Sequence, residues 1–187
     1  MPGLHRDPLE IRELANLRED TNRRFFGWLK NCSVAEEELD ALVRRLNDYV
    51  TGEIDCTACA NCCRRMSPSL ARHDVKRLAR TTGLPASEFK RRFLTKDPRF
   101  NDLVFNRRPC PLLKGNLCSR YESRPENCRS YPHLQERGFI FRLRGVISNY
   151  ATCPIVFNVV EMLKAEIWEG NKRPLQYLDE GEFDDVE

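Results

Sequence analysis

The chain has 187 residues, 41% of them hydrophobic and 32% charged, so it is long enough to bury a core without disulfide bonds. The N-terminal residues lack the basic and then apolar pattern of a signal peptide, and no apolar run approaches the roughly 18 residues that a membrane helix needs. We therefore expect a cytoplasmic protein with reduced thiols and no membrane partner. The net charge of +3 is unevenly spread, because six of the last nine residues are acidic. Residues 171–187 are predicted to form an acidic tail.

Residues 1–52 are predicted to form an antiparallel pair of helices. The first helix spans residues 8–30, with Asp7 as the N-cap residue before a proline at the first helical position. The second helix carries the capping-box pattern of Ser33 and Glu36 and an apolar stripe at helical spacing.

Residues 53–170 are predicted to form the cysteine-cluster domain, with short elements between its cysteine motifs. These are a helix through Leu78 that ends at Gly83, a short helix from Pro85 that buries Phe89 and Phe93, strands at 103–105 and 139–143, a hairpin turn at Gly115 and Asn116, and a helix from Pro154 through Leu163. The fold class we expect is mainly α, with helices packed around an irregular cysteine-rich metal-binding centre and a few short strands.

Eight of the nine cysteines are candidate metal ligands: Cys56, Cys59, Cys62, Cys63, Cys110, Cys118, Cys128 and Cys153. The first four fall within eight residues, and soft thiolates grouped this closely bind zinc, copper(I) or iron–sulfur clusters. Ordinary buried cysteines and a disulfide framework are the alternatives, and the second fits poorly with a reducing compartment. Cys153 precedes a proline that can begin a helix, where the helix dipole favours a thiolate. Cys32 falls in the turn between the first two helices, away from the others.

The order of these motifs resembles the YkgJ-type cysteine-cluster family of zinc- or iron-chelating domains. The resemblance spans about residues 53–165 and rests on Cys56-x2-Cys59-x2-Cys62-Cys63, Cys110-Pro111, Cys118-x2-Tyr121-x2-Arg124-Pro125-x2-Cys128-Arg129-x-Tyr131-Pro132 and Cys153-Pro154. It implies metal binding and names no reaction. Some relatives are similar to flagellin lysine methylases, which implies a protein-modifying enzyme as an alternative function.

The metal and its stoichiometry stay open at this point. Eight thiols can form two four-ligand sites, one cluster with a second structural metal, or one site with spare thiols. The compact run resembles part of a ferredoxin motif but departs from it at Cys63, and it is not the paired Cys-x2-Cys pattern of a zinc ribbon. The all-cysteine ligand set favours an iron–sulfur cluster, such as a 4Fe–4S cluster, over zinc.

Basic residues near the second cysteine block are expected to offset the negative charge of a thiolate centre. Residues 107–129 include only two acidic residues, Glu122 and Glu126. Their six basic residues are Arg107, Arg108, Lys114, Arg120, Arg124 and Arg129. Around the thiols we expect Arg124, Arg129, Tyr121 and Tyr131. This use of positive charge is preferred over nucleic-acid binding, because scattered basic residues without interleaved aromatics are weak evidence for that partner. The two short helices around Gly83 are not assigned to DNA recognition, because the helix-turn-helix pattern is permissive and Phe89 and Phe93 are expected to be core anchors.

The favoured function is a cytoplasmic metal-binding protein, with an iron–sulfur cluster or zinc and a redox, metal-handling or accessory role. An enzyme would need a pocket lined by Tyr121, Arg124, Arg129 and Tyr131, since the chain has neither a Gly-x-Gly-x-x-Gly motif nor a P-loop. A second alternative is a zinc-stabilised module that binds nucleic acid or protein.

Overall fold

Helices dominate the computed structural model, which describes residues 3–169. The α-helices are α1 Pro8–Leu17, α2 Glu19–Asn31, α3 Glu36–Glu53, α4 Cys56–Cys59, α5 Asn61–Arg65, α6 Arg72–Thr82, α7 Ala86–Phe93, α8 Glu126–Arg129, α9 Leu143–Tyr150 and α10 Pro154–Leu163. Two 3-10 turns lie at Tyr121–Ser123 and Phe139–Arg142, and α10 continues as a π-helix at Lys164–Glu169. The predicted acidic tail lies outside the described residues.

The strands form two antiparallel pairs, each of two short strands. Strand β1 (Leu94–Lys96) pairs with β2 (Leu103–Phe105), and β3 (Leu113–Lys114) pairs with β4 (Leu117–Cys118). The predicted fold class, mainly α with a few short strands around a cysteine-rich centre, is confirmed. No helix within residues 3–169 is both long and apolar enough to cross a membrane.

The first predicted helix is interrupted at Arg18, so that α1 and α2 replace one continuous helix. Asp7 is the N-cap of α1, as predicted, and accepts a hydrogen bond from the backbone N–H of Leu9. The interruption lies where the Arg18 guanidinium turns inward to pair with Glu161 and lies 5.6 Å from the centre of the Phe157 ring. Apolar periodicity does not reveal such a break, because its cause lies on a distant helix.

The start of α3 also differs from the prediction. The helix begins at Glu36 with Ala35 at the N-cap and no side-chain cap, so the capping box predicted from Ser33 is wrong. Three consecutive glutamates in the first turn, beginning at Glu36, favour this start through the helix dipole instead. Beyond the predicted pair with the preceding helix, α3 packs most extensively against α10, which the sequence does not indicate.

Residues 3–169 form two hydrophobic cores. The first joins α1, α2, α3, α9 and α10, and its fully buried aromatic side chains include Phe25, Phe139 and Phe157. The second is smaller and lies among α6, α7 and the β1–β2 pair, with Phe89 fully buried. As predicted, α6 ends at Gly83, whose positive φ of 72° suits the C-terminal position of a helix.

The predicted strand at residues 139–143 is a 3-10 turn that leads into α9. The buried side chains Phe139 and Leu143 recur at helical spacing, whereas Phe141 between them is 80% exposed. The buried carboxylate of Asp40 accepts hydrogen bonds from the backbone N–H groups of Gly138 and Phe139, at 2.8 and 2.9 Å. These bonds come from α3, so the residues of the segment alone do not indicate them.

Candidate metal centre

The four-cysteine run forms two single-turn helices, α4 and α5, rather than an irregular loop. Ala60 joins them in the left-handed conformation, with φ of 50°. Asp55 caps α4: its carboxylate accepts hydrogen bonds from the N–H and the hydroxyl of Thr57, at 2.8 and 2.7 Å. Those bonds lower the pKa of Asp55, so its role is to fix the first turn rather than to act as a base.

The sulfurs of this run influence one another directly. The Sγ atoms of Cys62 and Cys63 are 4.0 Å apart, and Cys62 also shares a hydrogen bond with Cys56. These bonds from the Cys62 thiol lower the pKa of both Cys56 and Cys63 to about 7, and they raise the pKa of Cys62 itself. Donation from the Cys62 thiol therefore favours the thiolate form of its neighbours.

The second cysteine block is brought to this run by the β3–β4 hairpin and α8. The hairpin turns at Gly115, where φ is 59°, and Cys118 pairs with Leu113. The backbone N–H of Cys110 donates to the carbonyl of Cys63 at 2.9 Å, which fixes the start of the block against α5. A cavity of about 390 Å³ opens here, and six cysteines contribute to its lining: Cys56, Cys62, Cys63, Cys110, Cys118 and Cys128.

The remaining two candidate ligands lie on the other side of Cys56 and Cys62. A smaller hollow is lined by those two cysteines together with Cys59, Cys153 and Tyr131. Cys153 occupies the N-cap position of α10, as predicted, and is 6% exposed. Burial raises its pKa to about 11 and outweighs the backbone N–H groups of α10, so the expected preference for a thiolate is not found.

Burial also raises the pKa of Cys59 and Cys118, that of Cys110 to about 11 and that of Cys128 to about 12. A thiol binds metal as the thiolate, so a metal that takes these sulfurs must displace their protons. The opposing influence is positive charge: Arg124 lowers the pKa of Cys118 and Cys128, and Arg64 that of Cys59 and Cys63.

The side chains that sequence analysis placed around the thiols do line the large cavity. The Arg124 guanidinium stacks 3.8 Å from the centre of the Tyr121 ring and donates to the Tyr121 carbonyl at 2.8 Å. Arg129 donates to the carbonyl of Glu122 at 2.8 Å. The hydroxyl of Tyr131 is buried beside the Cys153 thiol and has no partner at hydrogen-bonding geometry among the described residues.

Three polar residues not singled out from the sequence tie the cysteine segments together. Arg64 donates to the carbonyl of Cys59 at 2.9 Å, to the carbonyl of Gly115 at 3.3 Å and to the Asn116 side chain. Asn116 in turn donates to the Ala58 carbonyl at 2.7 Å. Asn61 donates to the carbonyl of Thr152 at 2.7 Å, which joins α5 to the residue before Cys153. The positions of Arg64 and Asn61 within or next to the cysteine run were the only signal in the sequence.

Cys32 lies elsewhere. It follows α2, packs against the first core and donates through sulfur to the carbonyl of Leu29 at 3.3 Å. The other eight cysteines gather around the two adjoining hollows.

The arrangement fits a thiolate-bound metal in its donor chemistry. All eight candidate ligands are soft sulfur donors. The Tyr131 hydroxyl, which has no hydrogen-bond partner among the described residues, can donate to a thiolate beside it. Within residues 3–169, no three ligating side chains already converge on one point as they would around a bound ion. Binding therefore requires the thiols to turn inward. The large cavity gives them room, because one water molecule needs only about 15 Å³ by the same measure.

A mainly helical fold with eight cysteines gathered at one place defines a cysteine-rich metal-binding protein. Residues 55–154 match the family model CxxCxxCC, described as "Putative zinc- or iron-chelating domain". This match covers more than half of the chain, and the protein belongs to that family. No curated protein and no solved structure matches it.

Proposed function

We propose that the eight grouped cysteines hold an iron–sulfur cluster, or alternatively zinc, and that the protein has a redox, metal-handling or accessory role in the cytoplasm. The observation that carries this proposal is the large cavity with six cysteines in its lining, drawn from two segments almost fifty residues apart. Closing long loops and burying thiols both oppose folding, and metal binding would supply free energy that offsets these costs.

The size of the cavity supports a cluster over a single zinc ion. A tetrahedral zinc site places four donors about 2.3 Å from one ion and fills little space. Here the large cavity alone offers six sulfurs around about 390 Å³. An iron–sulfur cluster would supply one-electron chemistry, and zinc would supply a fixed structural centre.

The protein's own groups near the thiols are suited to an anionic centre. The guanidinium groups of Arg64 and Arg124 lie close enough to stabilise thiolates, and Tyr131 offers a buried hydrogen-bond donor. Buried apolar side chains such as Phe105 and Leu112 also line the cavity. We infer that these groups hold the thiolate form in place once metal has displaced the protons.

The experiment is purification without oxygen, followed by measurement of iron, acid-labile sulfide and zinc per chain and by absorption spectroscopy. Iron and sulfide in equal amounts, with visible charge-transfer absorption, are expected for a cluster. Zinc without sulfide would select the alternative. A protein that carries neither metal, and whose thiols all react with an alkylating reagent, would overturn the proposal. In the same assay, Cys128→Ser should lower the metal content and Cys32→Ser should not.

An enzymatic role is the second candidate, and one observation favours it. Tyr121, Arg124, Arg129 and Tyr131 line the cavity beside the cysteines, as an enzyme of this kind would require. By its resemblance to flagellin lysine methylases, such an enzyme would modify protein side chains. Incubating the metal-loaded protein with a cell extract and mapping new modifications by mass spectrometry tests this role, with Arg124→Ala as the variant expected to lose activity.

A further inference from the structure

Positive charge is concentrated in residues 64–108, which we call the cationic lobe. They carry thirteen Lys and Arg but only four Asp and Glu, whereas the rest of the chain has more acidic than basic residues. The lobe contains α6, α7, β1 and β2 and supplies most of the second core. Its charge is therefore a property of one folded part of the molecule and not of a loose tail.

Most of these charges face solvent and are not neutralised by neighbours. Eleven of the thirteen cationic side chains are exposed; the exceptions are Arg64, at the thiols, and Arg77. The Arg77 guanidinium forms an ion pair with the buried carboxylate of Asp74, with a nitrogen–oxygen distance of 2.6 Å. Within residues 3–169 none of the eleven exposed cations forms an ion pair. Charge compensation of the thiols therefore does not account for this lobe as a whole.

Two packed helices display part of this charge. Along α6, Arg72, Lys76 and Arg80 follow one another at intervals of four residues, a spacing at which like charges repel. After the turn at Gly83, α7 carries three consecutive cations, Lys90 to Arg92, while Phe89 anchors the helix in the core. An anionic partner bound across these helices would offset the repulsion between their cations.

The cations continue from α7 toward the metal centre. The Asn106 side chain donates to the carbonyl of Arg92 at 3.0 Å, which places Arg107 and Arg108 next to the end of α7. Arg108 in turn donates to the hydroxyl of Ser67 at 3.2 Å, just after the cysteine run. The lobe thus offers a chain of cations rather than isolated ones.

An exposed aromatic side chain lies in the lobe as well. Phe100, in the loop between β1 and β2, is 75% exposed and follows Arg99. The Asp97 carboxylate fixes this loop by accepting hydrogen bonds from the N–H groups of both residues, at 2.8 and 3.1 Å. A cationic surface combined with an exposed ring is the arrangement that binds single-stranded nucleic acid, because phosphates meet the cations and a base stacks on the ring.

We propose that the cationic lobe binds the phosphate backbone of single-stranded nucleic acid without sequence preference and that Phe100 stacks on a base. An acidic protein segment would use the cations but would have no need of the ring. This activity is separate from the metal proposal, because neither α7 nor Phe100 contributes to the lining of the cysteine cavity.

The test uses the full chain, purified without oxygen, and a fluorescent mixed-sequence DNA of 20 nucleotides, single-stranded or as its duplex. Anisotropy is measured from 50 to 300 mM KCl. We expect the single strand to bind. A plot of the logarithm of its affinity against the logarithm of the salt concentration should have a negative slope, of about 0.7 for each phosphate contacted. The triple variant Lys90→Ala, Arg91→Ala, Arg92→Ala should make the slope shallower by about 2. Phe100→Ala should weaken binding about 5- to 150-fold and leave the slope unchanged.

The matched control removes the same number of charges from the first two helices, in Arg12→Ala, Arg23→Ala, Arg24→Ala. It should leave the slope unchanged. Circular dichroism and metal content identify any variant that has lost its fold or its metal, and single substitutions replace such a variant. No binding at 50 mM KCl, an equal loss in both triple variants, tighter binding of the duplex, or displacement of the strand by an equal charge of poly-glutamate would each overturn the proposal.

Discussion

Arg64→Lys should weaken metal retention although it preserves the charge. The guanidinium of Arg64 donates to three acceptors, two of which belong to the hairpin that carries Cys118. A lysine ammonium is a point donor and cannot span these acceptors. We expect it to keep one bond and lose two. At about 1–1.5 kcal/mol for each bond at this half-buried position, the loss is about 2–3 kcal/mol.

That free energy appears as metal affinity if the hairpin must be held against α5 for its cysteine to reach the metal. At about 1.4 kcal/mol per factor of ten, the loss corresponds to roughly 30- to 150-fold weaker binding. The assay follows the metal retained per chain as the concentration of a competing chelator rises, without oxygen. Arg65→Lys is the matched control, because Arg65 is adjacent and exposed and its side chain forms no hydrogen bond within residues 3–169.

Metal retention by Arg64→Lys equal to that of the unmodified protein, with unchanged circular dichroism, would refute this prediction. In that case the hairpin is held by other contacts, such as the backbone bond between Cys110 and Cys63. An equal loss in Arg65→Lys would also refute it, because the effect would then come from the side-chain type rather than from the three bonds.

Three further predictions concern the ligands and the fold. Metal analysis should find less metal in Cys59→Ser and an unchanged amount in Cys32→Ser; the opposite pattern would remove Cys59 from the centre. Metal affinity should rise as the pH is raised from 6.5 to 8, because Cys110 and Cys128, with pKa values of about 11 and 12, must release protons on binding. Chelator competition that is independent of pH would contradict those protonated thiols. Asp40→Ala should lower the free energy of unfolding in urea by about 2–4 kcal/mol, since it leaves two N–H groups ahead of α9 unpaired; a change below about 0.5 kcal/mol would show that water replaces the carboxylate.

Local signals in the sequence predicted much of the fold. Asp7 and Gly83 mark helix boundaries through their own chemistry, and the structure has a boundary at each. The prediction of a strand at residues 139–143 is wrong, because a strand and a short helix differ little in composition over five residues. What decided between them was Asp40, about a hundred residues earlier. The break at Arg18 has a similar origin in a partner on α10.

That all eight cysteines bind metal stays a prediction, whereas their placement and chemistry can be compared with the sequence. The spacing of the cysteines separates Cys32 from the other eight, and the structure gathers those eight. The raised pKa of Cys153 was not predictable, because it depends on how deeply the start of α10 is buried in the first core. The three bonds of Arg64 likewise depend on a hairpin some fifty residues away.

The cysteines belong to different cores. Cys153 is part of the first core, while Cys110 and Cys118 pack against the second. A metal that engages sulfurs from both would add metal–sulfur bonds to the hydrogen bonds that join these parts, such as the one from Asn61 to the Thr152 carbonyl. Its loss would leave the two cores less firmly held to one another. A partner could then distinguish the metal-bound from the metal-free protein by its conformation, without any chemical reaction at the centre.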